Sequence, residues 1–87
     1  MVTKLLIYTI MKLKKQFAGC YTATATLDGH TIEVEVNAYE EAKGFYYDVR
    51  VNGHLVDADG WYGLRLKDIK TIIQDAESYL EMYKANR

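Results

Sequence analysis

Residues 21–36 read Tyr-Thr-Ala-Thr-Ala-Thr-Leu-Asp-Gly-His-Thr-Ile-Glu-Val-Glu-Val. Tyr21, Ala23, Ala25 and Leu27 alternate with three threonines, the period of a strand with one buried face. Asp28-Gly29 then supplies two positions that tolerate positive φ, as a two-residue hairpin turn requires. Beyond it Ile32, Val34 and Val36 alternate with Glu33 and Glu35. A two-residue loop sets Ala25 opposite Ile32 and Thr24 opposite Glu33, so the apolar faces coincide and the register supports the turn.

Outward from this hairpin the design repeats. Phe45, Tyr47, Val49 and Val51 share one face, Tyr46, Asp48 and Arg50 the other, and Asn52-Gly53 is a strong hairpin signal. A regular return strand through His54–Ala58 places Val56 opposite Val49 and Ala58 opposite Tyr47. The polar connection Tyr39–Gly44 joins the two hairpins, and four antiparallel strands over residues 20–58 follow most simply as a meander. Asp57–Gly60 reads as a loop and Trp61-Tyr62 as a Gly-flanked connection.

From Leu66 the period becomes helical. Leu66, Ile69, Ile72, Ile73, Ala76, Leu80 and Tyr83 form one stripe, with Asp68 in the first turn and Lys84 near the last, signs that complement the helix dipole. One amphipathic helix over 66–84, laid on the sheet, buries both apolar surfaces. Residues 1–18 fit two patterns. Val2, Leu5, Leu6, Ile10, Leu13 and Phe17 fit a helical face, the preferred reading, while Leu-Leu-Ile-Tyr-Thr-Ile also suits a strand, which would be the sheet's fifth. Met11 is a conceivable internal start. The expected fold is thus α+β: a four-stranded antiparallel meander of two tight hairpins, packed against a C-terminal amphipathic helix, with an N-terminal helix or fifth strand.

Eighty-seven residues suffice for one domain, and no proline, linker or repeat divides them. Cys20 is the only cysteine, which argues for a reducing, cytoplasmic setting and for a small buried hydrophobe rather than a nucleophile. The apolar run within residues 1–11 is too short to span a bilayer and lacks a cleavage site, so it reads as part of the fold.

Motifs of chemistry are weak. Cys20, His30 and His54 match no metal spacing, although both histidines follow hairpin turns and stand about 10 Å apart, two strands away. Asp57-Ala-Asp59-Gly60 resembles the start of a calcium loop but has no preceding helix and continues with Trp61 where an oxygen ligand belongs. No P-loop, nucleophile elbow or dinucleotide fingerprint occurs. The expectation is a protein that is not an enzyme and carries no cofactor or metal.

Two irregularities remain. The net charge of −1 conceals four lysines and no acid in residues 1–27, but eight acids against Lys43 and Arg50 in residues 28–59. Aromatics crowd the same middle region: Tyr39, Phe45, Tyr46, Tyr47, Trp61 and Tyr62. Acidic and Tyr/Trp-bearing surfaces suit steered, specific protein contact. The expected partner-binding residues are Glu33, Glu35, Glu40, Glu41, Tyr46, Asp48, Asp57, Asp59, Trp61 and Tyr62, and the expected partner is a host protein or nucleoprotein complex with a basic surface. Size and build compare with phage and mobile-element accessory proteins, anti-CRISPR inhibitors among them, without any shared motif. A nucleic-acid contact through Lys12, Lys14, Lys15, Lys67 and Lys70 is the second expectation, and self-association through an edge strand the third.

Overall fold

The computed structural model describes residues 11–73 and 75–86. The alternative assignments of Val2–Ile10 therefore lie outside the described residues. Among the described residues the chain forms β1 (Lys14–Phe17), β2 (Cys20–Leu27), β3 (His30–Ala38), β4 (Gly44–Val51), β5 (His54–Tyr62), α1 (Leu66–Ile72) and α2 (Ala76–Ala85). The strands make one antiparallel sheet in the order β1-β2-β3-β4-β5, a meander.

The hairpins form as their turn residues dictate. Asp28 and Gly29 have φ of 52° and 77°, and Asn52 and Gly53 have 52° and 83°, the mirror-image turn whose twist matches the flanking strands. Ala25 faces Ile32 and Thr24 faces Glu33, as expected. The β3–β4 pairing extends the same grid, with Ile32 opposite Val51, Val34 opposite Val49 and Val36 opposite Tyr47. These residues, with Ala23 and Ala25, are buried beneath the helices. Ile69 of α1 and Ala76, Tyr79 and Leu80 of α2 close the core, joined by Leu64 from the connection. Small Ala23 and Ala25 on β2 share this core with Tyr79, a large side chain that is completely buried.

Three expectations are corrected. First, the described part of the N-terminal segment is a fifth strand and not a helix. Lys14 pairs with Thr22, Lys15 with Tyr21 and Phe17 with Cys20. A helix would set Leu13 and Phe17 on one face, yet Leu13 packs against the core while Phe17 is 66% exposed. Short length, two lysines and a bulge between Lys15 and Phe17 make β1 a poor template for further strands.

Second, the C-terminal stripe is carried by two helices. α1 ends at Ile73, whose backbone is extended (φ −62°, ψ 122°), and Asp75 caps α2 by accepting a hydrogen bond from the Ser78 amide at 2.9 Å. An aspartate that satisfies an orphan N–H competes locally with continuation of the helix.

Third, β5 is longer than expected and shifted by one residue. It runs through the supposed loop to Tyr62, and a bulge opposite the Val49/Arg50 step leaves Val56 as the extra residue. Arg50 faces Leu55, but Val49 faces Asp57 and Tyr47 faces Asp59, in place of Val56 and Ala58. Val56 packs against the core while Leu55 is 56% exposed. Since side chains alternate with period two, one inserted residue reverses the face of everything after it.

Candidate functional site

Pairing across five strands arranges the outer face of the sheet, away from the helices, in rows. The central rows are Lys14–Thr22–Glu35–Asp48–Ala58 and Thr24–Glu33–Arg50–Leu55. Arg50 bridges to Asp48 at 3.0 Å and the Asn37 amide donates to Glu35 at 3.2 Å. Arg50, bonded to Asp48 and opposite Glu33, partly neutralises a surface that stays acidic, and Lys14 stands at the far end of the Glu35 row beyond Thr22.

The next row, Phe17–Cys20–Asn37–Tyr46–Gly60, leads to the end of the sheet where β3 and β4 are joined. Here the connecting loop brings Tyr39 against two strand tyrosines. Its ring centroid lies 5.1 Å from Tyr46 and 4.7 Å from Tyr62, the latter in edge-to-face geometry that suits the ring quadrupoles. The Tyr62 hydroxyl donates to Glu41 Oε1 at 3.2 Å. The Glu41 carboxylate beside it raises the Tyr62 phenol above its ordinary value, keeping it protonated as a donor. Gly60 is required in this arrangement. A Cβ there would lie 2.5 Å from both Cα and Cβ of Tyr46, so only glycine lets the two strands close at that point.

Phe17, Asn37, Tyr39, Glu40, Glu41 and Tyr46 line a hollow of about 510 Å³ at this end. Phe17 (66%), Tyr46 (39%) and Tyr62 (60%) keep large exposed areas. The site is thus an aromatic end with two loop carboxylates, continuous with an acidic strand surface.

Of the residues expected to bind a partner, Glu33, Glu35, Tyr46, Asp48 and Tyr62 share the outer face, and Glu40 and Glu41 line its end. Asp57, Asp59 and Trp61 do not join them. The Val56 bulge turns these three toward the helix side, where Asp57 and Asp59 flank buried Tyr47 and Trp61 pairs with Phe45. Burial, with the two aspartates adding to it, pushes the Tyr47 phenol up to about 12. Phe17, Tyr39 and Asn37 belong to the site without having been expected there. The sequence pattern puts Phe17 on a helical stripe, while Tyr39 flanks the acidic connection and stands out there only as one of the crowded aromatics.

The histidines take a structural position. His30 and His54 each lie 5.9 Å from the ring of Tyr83 on α2, and Asn52 Nδ2 donates to His30 Nδ1 at 2.8 Å. Asn52 Oδ1 accepts from the Thr31 amide at 3.0 Å, so one turn residue ties both hairpins together. Among the described residues no three His, Cys, Asp or Glu side chains converge as metal ligands, and no helix is long and apolar enough to cross a membrane. The lysines of the nucleic-acid expectation are divided: Lys14 pairs on the outer face, Lys15 on the other, and Lys67 and Lys70 lie on α1. Comparison with protein-family models, with curated proteins and with solved structures matches nothing.

Proposed function

We propose that the chain is a small protein-binding module that docks the outer face of its sheet, and above all the Tyr39–Tyr46–Tyr62 end, on the basic surface of a partner. The observation that carries this reading is the coincidence of exposed aromatic area with carboxylates. Phe17, Tyr46 and Tyr62 expose large rings beside Glu40 and Glu41, and the Glu35–Asp48 row continues the negative surface. Aromatic anchors supply contact area at small entropic cost, while the surrounding charge sets encounter rate and specificity. Among the described residues no Asp, Glu, His, Lys or Arg side chain is buried, and Tyr47, whose phenol burial shifts, lies beneath the helices and not on the outer face, whereas catalytic acids and bases derive their tuned pKa values from burial within a site. That favours a binding role over a catalytic one.

The partner in this reading is a host protein or nucleoprotein complex whose basic surface ordinarily meets nucleic acid. Occlusion of such a surface is the action of phage and mobile-element accessory proteins of the anti-CRISPR kind. The division of the lysines between two faces and α1 makes direct nucleic-acid binding the lesser reading. The test is a photo-crosslinking residue at position 46, used in host lysate with the wild-type background, with Glu35→Lys and with Glu81→Lys on exposed α2 as control. A stoichiometric adduct with a basic protein, lost in Glu35→Lys and kept in Glu81→Lys, is expected. Equal loss in both, or an adduct indifferent to both, refutes the reading.

A further inference from the structure

The hollow at the end of the outer face has a composition more specific than the face around it. Its walls hold three rings (Phe17, Tyr39 and Tyr46), two loop carboxylates (Glu40 and Glu41) and the Asn37 amide, and among the described residues no lysine or arginine lines it. The strand rows differ in this respect, because Asp48 already has Arg50 as its counter-ion at 3.0 Å. Among the described residues the hollow is therefore the part of the face where negative charge and π-surface meet without an internal cation.

We propose that this hollow receives the side chain of an arginine from the partner, the guanidinium lying against the Tyr39 and Tyr46 rings and donating to the Glu40 and Glu41 carboxylates. The inference rests on the protein-binding reading of the same face. Three features favour arginine. A planar guanidinium stacks on aromatic faces and donates through a rigid fork that matches a carboxylate, which a lysine ammonium cannot do at once. Glu41 is held in place by the Tyr62 hydroxyl on Oε1 (3.2 Å), and a carboxylate carries a second oxygen for an incoming donor. The Tyr39 ring is itself fixed by contacts of 5.1 and 4.7 Å to Tyr46 and Tyr62, so the wall is formed before the ligand arrives. The Glu35–Asp48 row, two residues along the strands from Tyr46, biases the approach of positive charge toward the same end.

The experiment is an amide chemical-shift titration of the full chain with acetyl-Gly-Arg-Gly-amide, its lysine counterpart and hexa-arginine. The single-arginine peptide is expected to shift Phe17, Tyr39, Glu40, Glu41 and Tyr46 with a Kd on the order of millimolar, as one exposed side chain allows. The lysine peptide is expected to bind at least about threefold more weakly. Tyr46→Ala is expected to weaken the arginine peptide about two- to fivefold, the range of one cation–π contact. Glu40→Gln/Glu41→Gln, on the exposed loop, is expected to weaken it similarly, and its effect is expected to shrink in high salt. If arginine and lysine peptides bind equally and shift Glu33, Glu35 and Asp48 instead, the hollow is not the arginine site, yet the protein-binding face stands. If neither short peptide shifts the hollow, the inference falls; the protein-binding reading falls with it only if hexa-arginine also leaves the whole outer face unmoved.

Discussion

The separation of the C-terminal stripe into two helices makes a sharp prediction about two neighbouring isoleucines. Ile69 is completely buried and is the buried residue of α1, whereas Ile72, one turn on, is 38% exposed. Truncation of a buried isoleucine loses its transfer free energy and leaves a cavity, together about 2–5 kcal/mol. α1 is short and peripheral, so partial collapse and the better helix propensity of alanine place Ile69→Ala near the lower end, at about 2–3 kcal/mol. Ile72→Ala gives up little burial and gains the same propensity, so it should fall within about 0.5 kcal/mol of wild type. A domain of this length is stable by roughly 4–13 kcal/mol, so the first change removes a large share of the total. With a urea slope of about 1 kcal/mol/M, the Ile69→Ala midpoint should drop by about 2–3 M while Ile72→Ala barely moves. A single helix over 66–84 would place both isoleucines on its buried stripe. Equal midpoint shifts for the two variants would therefore refute the break at Ile73–Asp75.

Two further outcomes follow from the sheet. Gly60→Ala places a methyl 2.5 Å from the backbone and Cβ of Tyr46, so the strands must part; a loss of about 1–3 kcal/mol is expected, with displaced Tyr39 and Tyr46 ring signals, and unchanged stability would contradict the close approach. The Tyr47 phenol titrates at about 12 in the folded chain against an ordinary 10.0, so the folded state favours the neutral form. Its contribution is complete below pH 10 and is lost as pH rises from 10 toward 12, by roughly 2–3 kcal/mol in all. Urea unfolding of wild type against Tyr47→Phe over that window should show a steeper alkaline decline in wild type, and parallel curves would remove the argument.

The parts of the fold legible in the sequence are those where local chemistry admits one answer. Asp28-Gly29 and Asn52-Gly53 demand the mirror-image turn, and the turn fixes register, so Ala25 opposite Ile32 and the outward set Glu33, Glu35, Tyr46 and Asp48 could be read directly. The Val56 bulge had no such signature. Leu55 and Val56 are adjacent apolar residues, so alternation does not distinguish the two registers there, and Gly60, read as a turn, is in fact the gap that admits Tyr46. The same ambiguity misplaced Asp57, Asp59 and Trp61. Asp75 likewise resembles a polar position on the exposed side of a helix until its side chain is seen to accept from Ser78. Phe17 and Tyr39 entered the site through tertiary pairing, Phe17 by a bulged edge strand and Tyr39 by a loop, and neither leaves a periodic trace.

The bulge at Val56 also governs how this protein can change. Downstream of it, alternate positions lie on opposite faces: Ala58, Gly60 and Tyr62 on the outer face proposed to dock a partner, and Asp57, Asp59 and Trp61 on the side that shelters the core. Point substitutions can therefore tune recognition and stability almost independently along one strand. Loss of the codon for Val56 would only remove the bulge, because Asp57 would follow Leu55 and still lie opposite Val49, whereas loss of a codon beyond the bulge would exchange the faces of the residues that follow it. Substitution in β5 therefore changes one face at a time, while a change of length between the bulge and Tyr62 rewrites both faces beyond it at once.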